Sequence, residues 1–303
     1  MQMKMKKTLI YGAVALIALA CGKDEEPVVD PATPSLKFKL EFDETLPRLG
    51  NFGEHVDVAP GNAAQHPVMK EVSLHYIEFA PDSLTALGSG EIVYKGDETT
   101  AGGDNAVNFD LAPRAGQGQN FVSVDLSTLP PGTYNWLRVS LTYQKYDIEF
   151  RYNNPPYFDN ADLVGTLASF VGFNTYITSH TVKDSTVAVN DDKLQGYWAL
   201  ETQGSAGGVS FGSVTEGDGA GVTVVNPISE TSPIPAGSCV VTGKLAQPLV
   251  ITGDETEDIT VVLAFSINNS FEWEEVNVDG KYEPGAGETV VDMGLRGLHP
   301  RVD

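Results

Sequence analysis

The sequence predicts an all-β fold, an antiparallel β-sandwich with jelly-roll-like strand density, and three observations predict it. Apolar residues recur with a period of two in one short segment after another. Turn-forming clusters separate those segments: Ala101-Gly102-Gly103-Asp104, Pro130-Pro131-Gly132, Asn153-Asn154-Pro155-Pro156, Asn190-Asp191-Asp192 and Gly253-Asp254. Past the first twenty or so residues, no stretch sustains a 3.6-residue period without a breaker. Many strands with no helices between them must bury their apolar faces sheet on sheet.

The elements follow in order. Leu36, Phe38, Leu40 and Phe42 alternate with Lys37, Lys39 and Glu41, the pattern of a half-buried strand. Strands are expected next at 72–79, 91–95, 106–111 and 121–126. Residues 133–152 form the longest β-rich stretch, carrying Tyr134, Leu137, Val139, Leu141, Tyr143, Tyr146, Ile148 and Phe150, with a bend or turn expected near Gln144-Lys145. Further strands are expected at 163–171, 174–182, 186–189, 194–201, 222–225, 239–245, 259–267, 271–275 and 289–293. The glycine-rich stretch 204–221 reads as a long loop. One sandwich over 36–303 is the expected organisation, with a division near residue 155 as the alternative.

The amino terminus carries an address. Lys4, Lys6 and Lys7 precede an apolar run from Thr8 to Ala20, and Cys21 follows. That run suits a signal core and falls short of the roughly 20 residues a membrane-spanning helix needs. Ala18-Leu19-Ala20-Cys21 resembles the lipobox of bacterial lipoproteins, which implies cleavage after residue 20 and acylation of Cys21. Lys23, Asp24, Glu25 and Glu26 resemble the signal that exports lipoproteins of the Bacteroidota to the cell surface. Acyl chains at about 0.8 kcal/mol per buried methylene would hold such a protein to the outer membrane. Pro27, Pro31 and Pro34 make residues 21–35 read as an extended tether.

Charge narrows the partners. The chain has 19 basic and 41 acidic residues, a formal net charge of −22, and loss of the three leader lysines makes it more negative still. Such a surface repels phosphate backbones and argues against nucleic acid. Of the two cysteines, lipidation takes one, so no internal disulfide is available and Cys239, in a strand-like setting, is expected to be a buried hydrophobe.

The candidate sites come next. Glu275, Asn277 and Asp279 alternate oxygens ahead of Gly280, with Glu283 and Glu288 beyond, as in the first half of a calcium loop. The same Asp279-Gly280 pair reads equally as a plain turn between strands. His66, Met69 and His75 are the pieces from which a soft copper site could assemble, although no two histidines show local metal-ligand spacing. No His-Glu-x-x-His or phosphate-binding loop is present. Tyr152, Tyr157 and Phe158 flank the Asn-Asn-Pro-Pro turn and form a candidate exposed aromatic loop for sugar stacking, the other aromatics, Trp136, Trp198 and Trp273 among them, reading as core. Asp82-Ser83-Leu84 and Asp184-Ser185-Thr186 resemble the acceptor motif for O-glycosylation in exported Bacteroidota proteins, at Ser83 and Ser185.

Several longer motifs, Pro60-Gly61-Asn62-Ala63-Ala64-Gln65, Leu194-Gln195-Gly196-Tyr197-Trp198 and Pro233-Ile234-Pro235-Ala236-Gly237-Ser238-Cys239 among them, make the mature chain similar to an uncharacterised group of flavobacterial lipoproteins. The opening strand followed by His75-Tyr76-Ile77-Glu78 is remotely similar to the copper-associated MbnP-like family. The expectation is therefore a non-enzymatic surface lipoprotein that binds an extracellular glycan or peptide, or a partner outer-membrane protein. Handling of copper or calcium is the alternative, and hydrolysis of extracellular polymers the second.

Overall fold

The computed structural model describes residues 33–303 apart from 51–52, 207–208, 220–225, 227, 232–233 and 235. The leader, Cys21, Lys23 to Glu26, most of the tether and the strand expected at 222–225 lie outside the described residues.

The longest strand organises the architecture: β8 (Gly132–Asn154) is a 23-residue spine. Along one edge it pairs first with β14 (Val240–Ile251) and then with β9 (Phe158–Phe170), while β3 (Val68–Ala80) runs antiparallel along the other. The sheet continues past β9 with β12 (Tyr197–Ala206) and β13 (Val209–Asp218), and past β3 with β4 (Glu91–Lys95).

Three smaller sheets cover this one. The first has the order β18 (Leu298–Val302), β15 (Ile259–Ser266), β1 (Ser35–Asp43), β7 (Asn120–Asp125). The second is β17 (Thr289–Met293), β16 (Phe271–Glu274), β2 (Asn62–Gln65). The third is β11 (Thr186–Leu194), β10 (Asn174–Thr181), β6 (Ala106–Asn108), β5 (Glu98–Thr99).

Apolar alternation decides which faces meet. Leu36, Phe38 and Leu40 of β1, with Leu263 and Phe265 of β15, pack on Ile77 and Phe79 of β3 and Leu137 and Val139 of β8. Farther along β8 both faces of the large sheet are covered. Tyr143, Phe170 and Ala199 pack with Phe109, Ile177 and Val187 on one side, and Tyr146, Ile148 and Leu167 with Phe271, Trp273 and Met293 on the other. β15 pairs parallel with β1 and is buried on both faces, so it reads as a continuous apolar run rather than an alternation. Cys239 is buried, which pushes its thiol up to about 12 and leaves it unreactive.

Several details depart from the expectation. Residues 204–218 are not a loop: β12 runs on to Ala206 and β13 returns from Val209, a ladder in register along its whole length. Gln144 and Lys145 do not interrupt β8, and the irregularity falls on β3 instead, whose register shifts beside them. Asn190 lies inside β11 with φ of 52°, at a bulge where a turn was expected. The alternative division near residue 155 falls instead at the turn between β8 and β9, within the one compact unit of residues 33–303.

Glu201 on β12 shows how a carboxylate holds a connection in place. It accepts N–H bonds from Lys183 (2.9 Å), Asp184 (3.1 Å) and Ser185 (3.0 Å), and the Ser185 hydroxyl at 3.0 Å, fixing the β10–β11 turn. Burial pushes its carboxyl up, but these donors and Gln203 outweigh that and leave it at about 2, below the ordinary 4.5. Its stabilisation is therefore fully present above pH 4.5 and is lost as pH falls through 2. Glu201→Gln is expected to lower stability by roughly 3 kcal/mol at neutral pH. Urea titrations of the two proteins should converge as pH falls toward 2.

Candidate ligand cleft

The antiparallel registers of β8, β9, β12 and β13 fix which side chains share a face, because directly opposed residues point the same way. Trp198 and Leu200 of β12 stand beside Leu167 of β9, and Ile148 of β8 stands on the same face. Phe271 of β16 and Val290 and Met293 of β17 come down on this face from the covering sheet. Between them lies a cleft of about 380 Å³, closed at its sides by Tyr282, Glu288, Asp218 and Gly219.

Trp198 owes its pose to a glycine. A Cβ on Gly217, its register partner on β13, would come within 2.6 Å of Trp198 Cζ2, so the indole lies across the bare backbone of the next strand. Tyr282 stacks its edge on Phe271 (5.2 Å) and lies 5.6 Å from Trp273, forming an aromatic wall. Burial pushes the Tyr282 phenol up to about 12, which keeps its hydroxyl protonated and able to donate.

The connection from β16 to β17 supplies that wall. It folds round the edge of β8 that β3 leaves unpaired beyond Asp147. Arg151 N–H donates to the Tyr282 carbonyl at 2.7 Å, and the Arg151 guanidinium binds Asp279 (2.6 Å) and Asp162 (2.9 Å). Within the connection the acidic groups close on the backbone. Glu288 accepts N–H bonds from Val276 (3.1 Å), Asn277 (3.3 Å) and Glu283 (2.5 Å). Glu275 accepts from Asp279 (3.0 Å) and Gly280, Asp279 from Lys281 (2.9 Å), and the Asn277 amide donates to Glu283. The five oxygen-bearing residues read from the sequence as a calcium loop thus turn to N–H groups and a guanidinium rather than to one shared centre.

The copper pieces are placed apart in function. His66 is exposed and its Nδ1 accepts from Asn269 N–H at 2.9 Å, while Met69 packs against the cores. His75 is buried, 5.5 Å from the Phe173 ring, with its Nε2 3.0 Å from Glu98. Burial lowers its pKa against the opposing pull of Glu98, so the ring is neutral at pH 7. His75 and Glu98 line a second, separate hollow of about 440 Å³ with Tyr76, Lys95 and Phe173. Among the described residues no three His, Cys, Asp or Glu side chains are grouped to hold a metal ion.

The aromatic loop sits at the β8–β9 turn. Tyr157 is 67% exposed, and the Tyr152 and Phe158 rings meet at 5.5 Å. The ring that completes this cluster, Phe211, belongs to the stretch read as a loop. It lies 5.1 Å from Phe158 and 6.4 Å from Tyr152. Ser83 is half-buried in the turn after β3, and Ser185 uses its hydroxyl on Glu201. Trp198 and Tyr282 escaped the sequence reading as site residues. The usable signal was the alternation Trp198, Leu200, Thr202, Gly204 facing Phe211, Ser213, Thr215, Gly217, which marks a two-stranded ladder once 204–218 is taken as strand. The chain matches no known protein family, no curated protein and no solved structure.

Proposed function

We propose that this is a lipid-anchored lipoprotein of the outer membrane, exposed at the cell surface, whose β-sandwich binds neutral carbohydrate without acting on it. The observation that carries the binding role is the cleft between Trp198 and the Tyr282–Phe271 wall. Aromatic faces carry negative π-density that attracts the C–H face of a sugar ring, and an apolar concavity with a few polar groups at its margin is the usual form of a small-ligand site. The cleft's buried carboxylate, Glu288, is held by three backbone N–H groups, so it suits a structural part rather than proton transfer. The acidic balance of the chain disfavours sulfated or uronic-acid polymers. Anchorage is proposed from Cys21 and the Lys23-Asp24-Glu25-Glu26 tract.

The test is an array of neutral and anionic glycans probed with the full chain in detergent micelles. Wild type is expected to mark neutral glycans alone, and Trp198→Ala to lose that signal while keeping its circular dichroism. Binding to no neutral glycan, or binding that survives Trp198→Ala, overturns the proposal.

A further inference from the structure

We infer that the carbohydrate site is a track rather than a single cleft. It continues along the same face of β8, β9, β12 and β13 to a second aromatic platform made by Tyr152, Phe158 and Phe211, so the ligand is an internal stretch of a neutral polysaccharide. This rests on the cleft reading above and extends it.

The registers carry the continuity. Opposed pairs across β12 and β13 are Trp198–Gly217, Leu200–Thr215, Thr202–Ser213 and Gly204–Phe211, so all eight side-chain positions share the face that bears the cleft. On β9 and β8 the same face holds Leu167, Gly165 and Leu163 beside Ile148, Phe150 and Tyr152. Phe211 is therefore on the cleft side of the sheet, six residues along β12 from Trp198. At about 3.3 Å per residue the two platforms stand roughly 20 Å apart.

The two ends are built alike. A Cβ on Gly204 would lie 2.4 Å from Phe211 Cε1, as one on Gly217 would lie 2.6 Å from Trp198 Cζ2. Each strand of the hairpin thus lays one aromatic ring over a glycine of the other. The far ring is joined by Phe158 at 5.1 Å and by Tyr152, which is 37% exposed.

The chemistry of the floor names the occupant. Between the platforms this face presents aliphatic and aromatic groups, glycine and the hydroxyls of Thr202, Ser213 and Thr215, with Thr202 and Ser213 hydrogen-bonded at 3.0 Å. Every charged residue of these stretches, Glu149, Arg151, Asp162, Glu201 and Glu216, alternates to the other face. An uncharged surface of rings and hydroxyls complements a hydroxyl-rich, uncharged polymer, whereas a charged peptide would leave its ions unpaired there. A purely structural role, in which the rings shield glycines at a sheet edge, predicts effects on stability but none that depend on ligand length.

The experiment is calorimetric titration of the full chain, in detergent, with a disaccharide-to-hexasaccharide series released from the neutral polysaccharide that scores highest on the array. Wild type is expected to bind the hexasaccharide at least about tenfold tighter than the disaccharide, because the second platform acts on an already tethered chain. Tyr152→Ala with Phe211→Ala should abolish that gain and leave disaccharide affinity unchanged. Phe211→Leu, which still covers Gly204, serves should the double variant misfold. A wild-type hexasaccharide no tighter than the disaccharide, or a gain retained in folded variants, overturns the track and leaves the cleft reading standing. A blank array removes both.

Discussion

Glu272→Ala is expected to destabilise the protein by about 3–5 kcal/mol. Four ionic side chains meet where β16 and β17 abut the chain ahead of β2. Arg48, Glu272 and Asp292 are buried and Arg296 is partly so. Glu272 pairs with Arg48, and it also accepts Ala59 N–H at 3.1 Å and Asn62 Nδ2 at 2.6 Å. Burial pushes its carboxyl up, but Arg48 and Asn62 outweigh that and hold it below the ordinary range, so it is ionised at pH 7. Among the described residues its removal leaves Asp292, at 3.7 Å, as the carboxylate paired with Arg48, whose Nε and Nη1 have no partner there. A buried cation without its counter-ion, plus two stranded donors, accounts for the size of the loss.

Asp292→Asn is expected to cost less. Burial raises the Asp292 carboxyl to about 6 in spite of Arg296 and Arg48. Because that value lies above the ordinary 3.8, its contribution is fully present below pH 3.8 and fades as pH rises through 6. Urea unfolding at pH 5 and pH 8 checks the order of the two variants. A Glu272→Ala loss under about 1 kcal/mol, as for a surface pair, would show that water reaches the cluster.

That cluster also marks where the sequence stopped being legible. β1 was readable because its apolar residues alternate with polar ones whose side of the strand stays half-buried, giving the half-buried, buried alternation found from Ser35 to Asp43. Arg48 and Glu272 are 224 positions apart, and nothing local to either announces the other. The β12–β13 hairpin was hidden for a different reason. Its cleft side carries Trp198 and Leu200 then Thr202 and Gly204 on β12, and Phe211 then Ser213, Thr215 and Gly217 on β13. Each ring lies over a glycine of the partner strand, so the apolar pattern that signals a strand is carried across the ladder instead of along it. Tyr152, Tyr157 and Phe158 were legible as a loop through their proline turn, but Phe211 was not. β18 was missed since Pro300 breaks a short strand, which its place at the edge of the sheet tolerates. The oxygens of Glu275, Asn277 and Asp279 are spaced as in the first half of a calcium loop, yet in this loop the nearest partners of a carboxylate are its own backbone N–H groups.

Trp273→Ala is expected to cost about 3–5 kcal/mol and to weaken the cleft at the same time. The indole is fully buried behind the cleft wall, 6.0 Å from Phe271 and 5.6 Å from Tyr282. Truncation removes the largest side chain of that core and leaves a void that the flanking strands, pinned by their ladders to β2 and β17, can close only in part. For a domain of this size the melting temperature should fall by roughly 10 °C. Trp273 Nε1 is buried with no partner among the described residues, so Trp273→Phe, which keeps a ring and deletes that N–H, should lose far less. Val278, 91% exposed in the adjoining loop, is the control whose truncation should leave stability unchanged. Thermal unfolding of the three variants, followed by glycan binding of those that remain folded, separates the packing role from the wall role. Equal losses for Trp273→Phe and Trp273→Ala would mean that the missing volume is not what the fold feels, and would count against a packed wall behind Tyr282.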